Sequence, residues 1–138
     1  MEVVATVLGC RLFIATRDSS YLNKAEELYA WLKKYMQDPD DHLYWDNINP
    51  DMKVSKNKYS YNSGEPMEAA ALLYKITKED KYLADAQEIA RSAYEKWFKP
   101  FHSNILNEDF CILSPGDCWF NTVMFRGYLA LYDMDNNR

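Results

Sequence analysis

The 138-residue sequence lacks several features that would assign it quickly to a class of protein. No apolar run reaches the roughly 18 residues of a membrane-spanning helix, so no span is predicted. Lys and Arg total 16 against 21 Asp and Glu, and this net charge of −5 argues against nucleic acid or another polyanion as a partner. The chain starts MEVV without a basic segment, so we expect no signal peptide in it.

Cysteine and histidine are also scarce. Cys10, Cys111 and Cys118 form no C-x-x-C pair, and His42 and His102 lie far from them in sequence, so no zinc site is predicted. We expect three ordinary thiols, with a Cys111–Cys118 disulfide left open for an oxidising environment, and both histidines on loop surfaces. The sequence contains neither a nucleophile-elbow motif nor a glycine-rich phosphate loop.

What the sequence does contain is a repeat with a constant offset of 61 positions (73 minus 12). Residues 12–27 read LFIATRDSSYLNKAEE, and residues 73–88 read LYKITKEDKYLADAQE. A third, partial copy lies at 129–132. A long fixed period indicates stacked supersecondary units, each of which needs neighbours to bury its apolar face. The identical positions are Leu12/Leu73, Thr16/Thr77, Tyr21/Tyr82, Leu22/Leu83, Ala25/Ala86 and Glu27/Glu88.

Apolar residues at helical spacing predict five helices. Ser19 or Ser20 is expected to cap the second helix, and Asn62 or Ser63 the third, with Pro66 in its first turn. The connections within each pair are very short, so we expect antiparallel helical hairpins. The predicted helices cover about 3–16, a second from 19 or 20 to a point before Pro39, 64–76, 81–99 and a fifth that opens at 114–117. The expected buried stripe of the first helix is Val4, Val7, Leu8, Leu12 and Ala15.

Two long segments, 38–61 and 101–113, separate the helical pairs. Within the first, 43–45 and 54–61 are expected to form a short irregular hairpin, whereas the second is predicted to be a loop after Pro100. Long loops in a compact domain are usually functional or disordered, and aromatic content favours order in the first. Both leave the same ends of the helical hairpins, so they should gather on the face where repeat proteins place their binding sites.

Two acidic motifs in the first long segment are candidates for chemistry. Asp40 and Asp41 are adjacent, and glycoside hydrolysis uses a pair of carboxyl groups, but adjacent acids after a helix favour a solvated loop. In the motif WDNI, Trp45 could stack on a sugar while Asp46 and Asn47 bond its hydroxyls. The alternative is an Asx-turn before the following proline, and both interpretations stay open.

The N-terminal ends of the third and fifth helices carry further candidates. In the motif YSYNSGEP, Asn62 with Glu65 fits a capping box, which does not require Tyr61. Ser114 with Asp117 likewise fits a capping box at the fifth helix. Trp119, Phe120 and Arg126 follow on that helix, where Arg126 either pairs with an acid or lies exposed between apolar stripes.

The order of these motifs resembles the family 76 glycoside hydrolases over nearly all of residues 3–136. The resemblance rests on LxxxTxxxxYLxxA, LYWDNI, YSYNSGEPxxAAALLYK and the closing GDxxFxxxxxRGYL. Those enzymes are α-1,6-mannanases with an (α/α)6 toroid. The resemblance therefore implies an all-α chain in which residues 1–138 form one domain, about five of the twelve toroid helices. It also implies α-mannan or mannooligosaccharide as partner, no metal or cofactor, and a secreted, periplasmic or cell-surface location for the parent family.

The resemblance also implies which residues act. The family hydrolyses its substrate with retention through an adjacent Asp-Asp pair in a D-D-x-x-W-W context before an earlier inner helix. Asp40 and Asp41 lie in a loop that varies in the family, so no catalytic role is assigned to them, and the matching region is expected to begin before Met1. Family members usually have Gln in place of Ser63. The expected substrate-binding residues are Trp45, Asp46, Asn47, Tyr61 and Asn62, with Asp117 and Phe120 at the border of the cleft.

We therefore expect a carbohydrate-active protein of the endo-α-1,6-mannanase type that is incomplete and inactive alone. The alternatives are a non-catalytic mannan-binding module, a helical-repeat interaction module, and a related six-hairpin enzyme for a different sugar. An incomplete toroid exposes the apolar faces of its end hairpins, so a homo-oligomer is also expected.

Overall fold

The structure is a computed structural model that describes residues 2–113 and 117–136. The described residues form five helices and two small antiparallel ribbons, which confirms the predicted all-α class. The helices are α1 (Glu2–Thr16), α2 (Ser19–Met36), α3 (Ser60–Thr77), α4 (Asp80–Trp97) and α5 (Cys118–Asp135). In one ribbon β1 (Asn47–Ile48) pairs with β2 (Val54–Ser55), and in the other β3 (Phe98–Ser103) pairs with β4 (Glu108–Leu113).

The helices pack in two layers. Helices α1, α3 and α5 lie side by side, α2 packs against α1, and α4 packs against α3. Because α3 touches helices on three sides, most of its residues from Ser60 to Leu73 are buried. The two layers enclose one core, to which α2 contributes Ala25, Tyr29, Leu32 and Met36, and α4 contributes Tyr82, Ala86, Ile89, Ala90 and Ala93.

The repeat in the sequence corresponds to a repeated turn. Arg17 and Lys78, which are 61 positions apart, follow α1 and α3 with left-handed φ values of 63° and 61°. The hydroxyls of Thr16 and Thr77 donate to the carbonyls four residues earlier at 2.8 and 2.9 Å, and each accepts the N–H two residues later at 3.2 Å. The same few residues therefore reverse the chain in both helical hairpins.

The capping residues predicted for α2 and α3 were wrong. Asp18, rather than either serine, caps α2 by accepting the N–H of Ser20 at 2.9 Å. Helix α3 begins at Ser60, so Pro66 lies inside the helix and not in its first turn. Pro66 has no N–H for the carbonyl of Asn62, a loss that its complete burial against neighbouring side chains helps to offset.

The two long segments are more ordered than predicted. The first hairpin uses residues 47–48 and 54–55 and not 43–45, because Tyr44 instead bridges to Gln37 at the end of α2. The second segment is the β3–β4 ribbon and not a loop. Helix α4 ends at Trp97, and Pro100 lies in β3 opposite Cys111. Both strands of a two-stranded ribbon are edges, so a proline is tolerated there.

The predicted apolar stripe of α1 was partly wrong. Val7 and Cys10 are buried, but Val4 and Leu8 are each 54% exposed. Helix α1 is apolar on nearly all sides, so its periodicity could not indicate which side would meet α2 and α3. Among the described residues, none of the helices combines the length and hydropathy that a membrane span requires.

Candidate functional site

A cleft of about 600 Å³ lies where the first long segment passes over the N-terminal end of α3. Five of the residues predicted to bind a sugar line it together: Trp45, Asp46, Asn47, Tyr61 and Asn62. The sequence did not indicate the contribution of α1 and α2, because it depends on how those helices pack. The other lining residues are Val3, Trp31, Leu32, Met36, Tyr44, Ile48 and Glu65.

Asp46 is the centre of the polar side of this cleft. Its Oδ1 accepts from the hydroxyl of Tyr61 at 2.8 Å and from Nδ2 of Asn62 at 3.2 Å. Its Oδ2 accepts from Nδ2 of Asn47 at 2.7 Å. A carboxylate offers about four acceptor positions, so three protein donors orient this group and leave acceptor capacity for a ligand.

The hydrogen bonds determine the charge of the cleft. Partial desolvation raises the pKa of Asp46, but the bonds from Tyr61, Asn62 and Asn47 outweigh that effect and hold the pKa below its ordinary value. Desolvation, together with the bond to Asp46, raises the pKa of Tyr61 to about 12. At neutral pH the cleft therefore presents an anionic acceptor beside a protonated phenol.

Asn62 and Glu65 do not form the predicted capping box. Tyr59 occupies the N-cap position of α3 without a capping side chain, and the Asn62 amide is turned to Asp46. Glu65 lines the cleft half-buried, one helical turn after Tyr61 and Asn62. Desolvation raises the pKa of Glu65, although the charge of Arg126 opposes the shift. The cleft thus holds two carboxyl groups whose pKa values move in opposite directions.

Ser63 anchors the segment that carries Asp46. Its hydroxyl oxygen accepts the N–H of Tyr44 at 3.1 Å, and both residues are buried. The N–H of Trp45 donates to the carbonyl of Met36 at 2.9 Å, which ties the same segment to α2. Ser63 does not line the cleft, so in this chain it positions Asp46 from behind.

Asp117 and Phe120 lie near the cleft but do not line it. Asp117 is the N-cap of α5, where its Oδ1 accepts the N–H of Trp119 at 2.8 Å, so the capping residue is not Ser114 as predicted. Ser114 itself lies outside the described residues. The ring of Phe120 packs against that of Tyr61 with centroids 4.6 Å apart. These contacts place the N-terminal ends of α3 and α5 side by side.

Neither Asp40 nor Asp41 is among the residues that line the cleft. Asp41 accepts the N–H of Leu43 at 3.1 Å and receives the ammonium group of Lys58 at 2.8 Å. Lys58 also bonds Asp38 at 2.5 Å. Asp40 is exposed. Asp41 therefore belongs to a turn that Lys58 closes.

Arg126 pairs with an acid, one of the two predicted alternatives. The carboxylate of Glu68 is 3% exposed and accepts Nη2 of Arg11 and Nη2 of Arg126, both at 2.6 Å. One carboxylate therefore joins α1, α3 and α5.

The remaining candidates for chemistry lie outside the cleft. His102 is exposed and 2.9 Å from Asp109, and His42 is 3.7 Å from Glu88. All three cysteines are free thiols. Burial raises the pKa of Cys10 to about 12.

Two layers of antiparallel helical hairpins, with an aromatic and carboxylate-bearing cleft at one end, are the arrangement expected of part of an (α/α)6 toroid. The model of glycosyl hydrolase family 76 matches residues 2–135. The chain belongs to this family. A search of curated proteins gives no match.

Solved structures agree with the family assignment. The chain is similar to a family 76 mannosidase from Bacteroides thetaiotaomicron VPI-5482, with 47% identity and a TM-score of 0.95 over 99% of this chain and 38% of that one. It is also similar to a family 76 glycoside hydrolase from a bovine Bacteroides thetaiotaomicron strain, with 48% identity and a TM-score of 0.94 over 99% of this chain and 30% of that one.

A third structure contains a sugar. An inactive variant of the α-1,6-mannanase of Salegentibacter sp. HEL1_6, in which two adjacent aspartates are replaced, was solved in complex with α-1,6-mannotetraose. It is 26% identical to this chain, with a TM-score of 0.77 over 96% of this chain and 39% of that one. The chain spans 30–39% of the length of these three relatives, and so covers part of the family domain.

Proposed function

We propose that this chain binds α-1,6-linked mannooligosaccharide in the Asp46 cleft, as the sugar-binding portion of an endo-α-1,6-mannanase type of domain, and does not cleave the sugar by itself. The observation that carries the proposal is the Asp46 carboxylate, oriented by three donors beside Trp45 and Tyr61. The mannotetraose bound by the Salegentibacter relative supports the choice of sugar.

The donor and acceptor set suits a neutral sugar. Asp46 accepts from hydroxyls, while Tyr61 and Asn62 keep oxygen lone pairs after donating to it. The indole of Trp45 and the other apolar lining residues provide surface for the C–H groups of a pyranose. Sites of this kind combine mostly apolar walls with a few oriented polar groups.

The proposed lack of cleavage rests on the acidic residues. Asp40 and Asp41 are the one adjacent Asp-Asp pair in the 138 residues, and Asp41 is held by Lys58 outside the cleft. Asp46 and Glu65 share the cleft, but Asp46 is engaged by three protein donors and is a poor nucleophile in that state.

The test is calorimetric titration of the chain with α-1,6-mannotriose. We expect Asp46→Ala to weaken binding about tenfold or more, because hydrogen bonds to a charged group contribute about 1.5–3 kcal/mol. The matched control is Asp40→Ala, which removes an exposed carboxylate and should leave affinity unchanged. Wild-type affinity in the Asp46 variant, or no binding by the wild-type chain, would refute the binding proposal.

A separate assay tests cleavage. Incubation of the purified chain with α-1,6-mannotetraose should release no new reducing ends. Cleavage that disappears on Asp40→Asn or Asp41→Asn would show instead that this pair is catalytic and that the chain is a competent enzyme.

A further inference from the structure

Two exposed aromatic rings lie beside the cleft without lining it. Trp119, at the start of α5, is 56% exposed, and Tyr59, just before α3, is 39% exposed. Both pack against Tyr61, which is a wall of the cleft. The ring centroids are 5.3 Å apart for Trp119 and Tyr61, and 6.0 Å apart for Tyr59 and Tyr61. We call Tyr59, Tyr61, Trp119 and Phe120 the aromatic shelf.

The shelf is held in place by its own contacts. The half-buried ring of Phe120 lies 4.6 Å from Tyr61, 5.7 Å from Tyr59 and 5.8 Å from Trp119, measured between centroids. The backbone N–H of Trp119 donates to the capping carboxylate of Asp117 at 2.8 Å, which fixes the start of α5. The hydroxyl of Tyr61 is fixed by Asp46. The rings therefore form a preorganised surface, which reduces the ordering cost of binding.

The shelf continues the cleft. Tyr61 presents its hydroxyl to the Asp46 carboxylate, while its ring contacts both exposed members of the shelf. A ligand chain that leaves the cleft past Tyr61 would meet Trp119 and Tyr59 next. Exposed apolar side chains that form one patch, rather than lying scattered, are typical of ligand-binding grooves.

We propose that Trp119 and Tyr59 form a stacking subsite for a further hexose of the same oligosaccharide whose neighbouring residue occupies the Asp46 cleft. The inference rests on the proposed function, because the occupant is the continuation of that ligand. Aromatic rings offer a broad apolar face to the C–H side of a pyranose, and the shelf adds no charged group that would select an ionic ligand. The subsite contributes only when the ligand is long enough to reach it.

The test compares ligand length. Calorimetric titrations with α-1,6-linked mannobiose, mannotriose and mannotetraose are made on the wild-type chain, Trp119→Ala, Trp119→Phe and Tyr59→Ala. We expect Trp119→Ala to weaken binding of the tetrasaccharide by up to about tenfold and binding of the disaccharide by less than about twofold, since tenfold equals about 1.4 kcal/mol, the upper end of what an aromatic contact contributes. Trp119→Phe should keep most of the affinity, and Tyr59→Ala should show a smaller loss with the same length dependence.

Phe110→Ala is the matched control, because Phe110 is a 40% exposed aromatic residue on the β3–β4 ribbon. Its affinities should equal wild type at every length. If Trp119→Ala binds all three sugars as tightly as the wild-type chain, or loses the same affinity for all three, the subsite is overturned. The proposed function still stands in that case if binding depends on Asp46. If the wild-type chain binds none of the three sugars, the proposed function and the subsite both fail.

Discussion

Gly64 and Gly127 face each other where α3 and α5 cross. A Cβ added to Gly127 would lie 2.4 Å from the carbonyl oxygen of Gly64, and one added to Gly64 would lie 2.6 Å from the Cα of Met124. Backbone atoms, rather than flexible side chains, fill both positions. This close approach sets the distance between the helix that carries Tyr61 and the helix that carries Trp119.

We expect Gly127→Ala to lower the free energy of unfolding by about 1–3 kcal/mol, the usual cost of overpacking. Relief of glycine's backbone entropy favours alanine in a helix by about 0.5–1 kcal/mol, but the clash with Gly64 outweighs it. Gly9→Ala is the milder comparison, because a Cβ added to Gly9 would lie 3.0 Å from the carbonyl oxygen of Tyr21. We therefore expect a smaller loss of stability for Gly9→Ala. Urea denaturation compares the two, and a Gly127 variant at least as stable as wild type contradicts the prediction.

The buried carboxylate of Glu68 should make its two arginine partners interdependent. Either Arg11→Met or Arg126→Met leaves one counter-charge, and we expect a loss of about 1–2 kcal/mol for each. The double variant leaves a buried carboxylate unpaired, with an expected loss of about 3–5 kcal/mol. Arg91→Met, on the exposed side of α4, is the control. Urea denaturation of all four variants measures the coupling, and strict additivity would argue against a shared carboxylate.

The turn closed by Lys58 should make stability depend on acid pH. The hydrogen bond from Lys58 is the largest effect on Asp38, and it holds the pKa of Asp38 below the ordinary value of 3.8. The unfolded state therefore binds more protons, so this contribution is present above 3.8 and is lost as the pH falls through the lower folded pKa.

The free energy of unfolding should decrease less in Lys58→Met than in the wild-type chain as the pH is lowered from about 5 to about 2. Urea denaturation at each pH measures this difference. Asp46 keeps part of the slope, because its pKa is also lowered in the fold. Lys53→Met, an exposed lysine between β1 and β2, should leave the profile as in wild type. An unchanged slope in the Lys58 variant would mean that Asp38 gains nothing from this ion pair.

Exposed apolar side chains on α1 and α5, the two end helices of the α1–α3–α5 layer, lead us to expect self-association. Leu8 on α1 is 54% exposed and Leu129 on α5 is 63% exposed. Light scattering should give a mass of a dimer or larger, and Leu129→Lys should shift it toward the monomer. Ile105→Lys, at the 95% exposed tip of the β3–β4 ribbon, should not. A monomer mass for the wild-type chain at all concentrations would refute self-association.

Helix positions were predictable where the signal is local. The stripes of α2 and α4 are amphipathic, and their predicted buried residues, such as Ala25 and Ile89, lie in the core. The start of α3 was missed because Pro66 indicates a first turn by local rules, whereas contacts with α5 maintain the helix around it. Glu65 was assigned to a cap by spacing alone, and only the packed cleft shows where its side chain lies.

Local sequence is enough to specify the repeated hairpins, because the turns at Thr16 and Thr77 are made by hydrogen bonds that span at most four residues. Which acidic residue of the first long segment joins the cleft depends instead on long-range packing. Asp46 meets the hydroxyl of Tyr61 across 15 positions. The buried hydroxyl of Ser63 holds that segment against α3 by accepting the N–H of Tyr44. Sequence spacing cannot predict this contact, because the two residues are 19 positions apart.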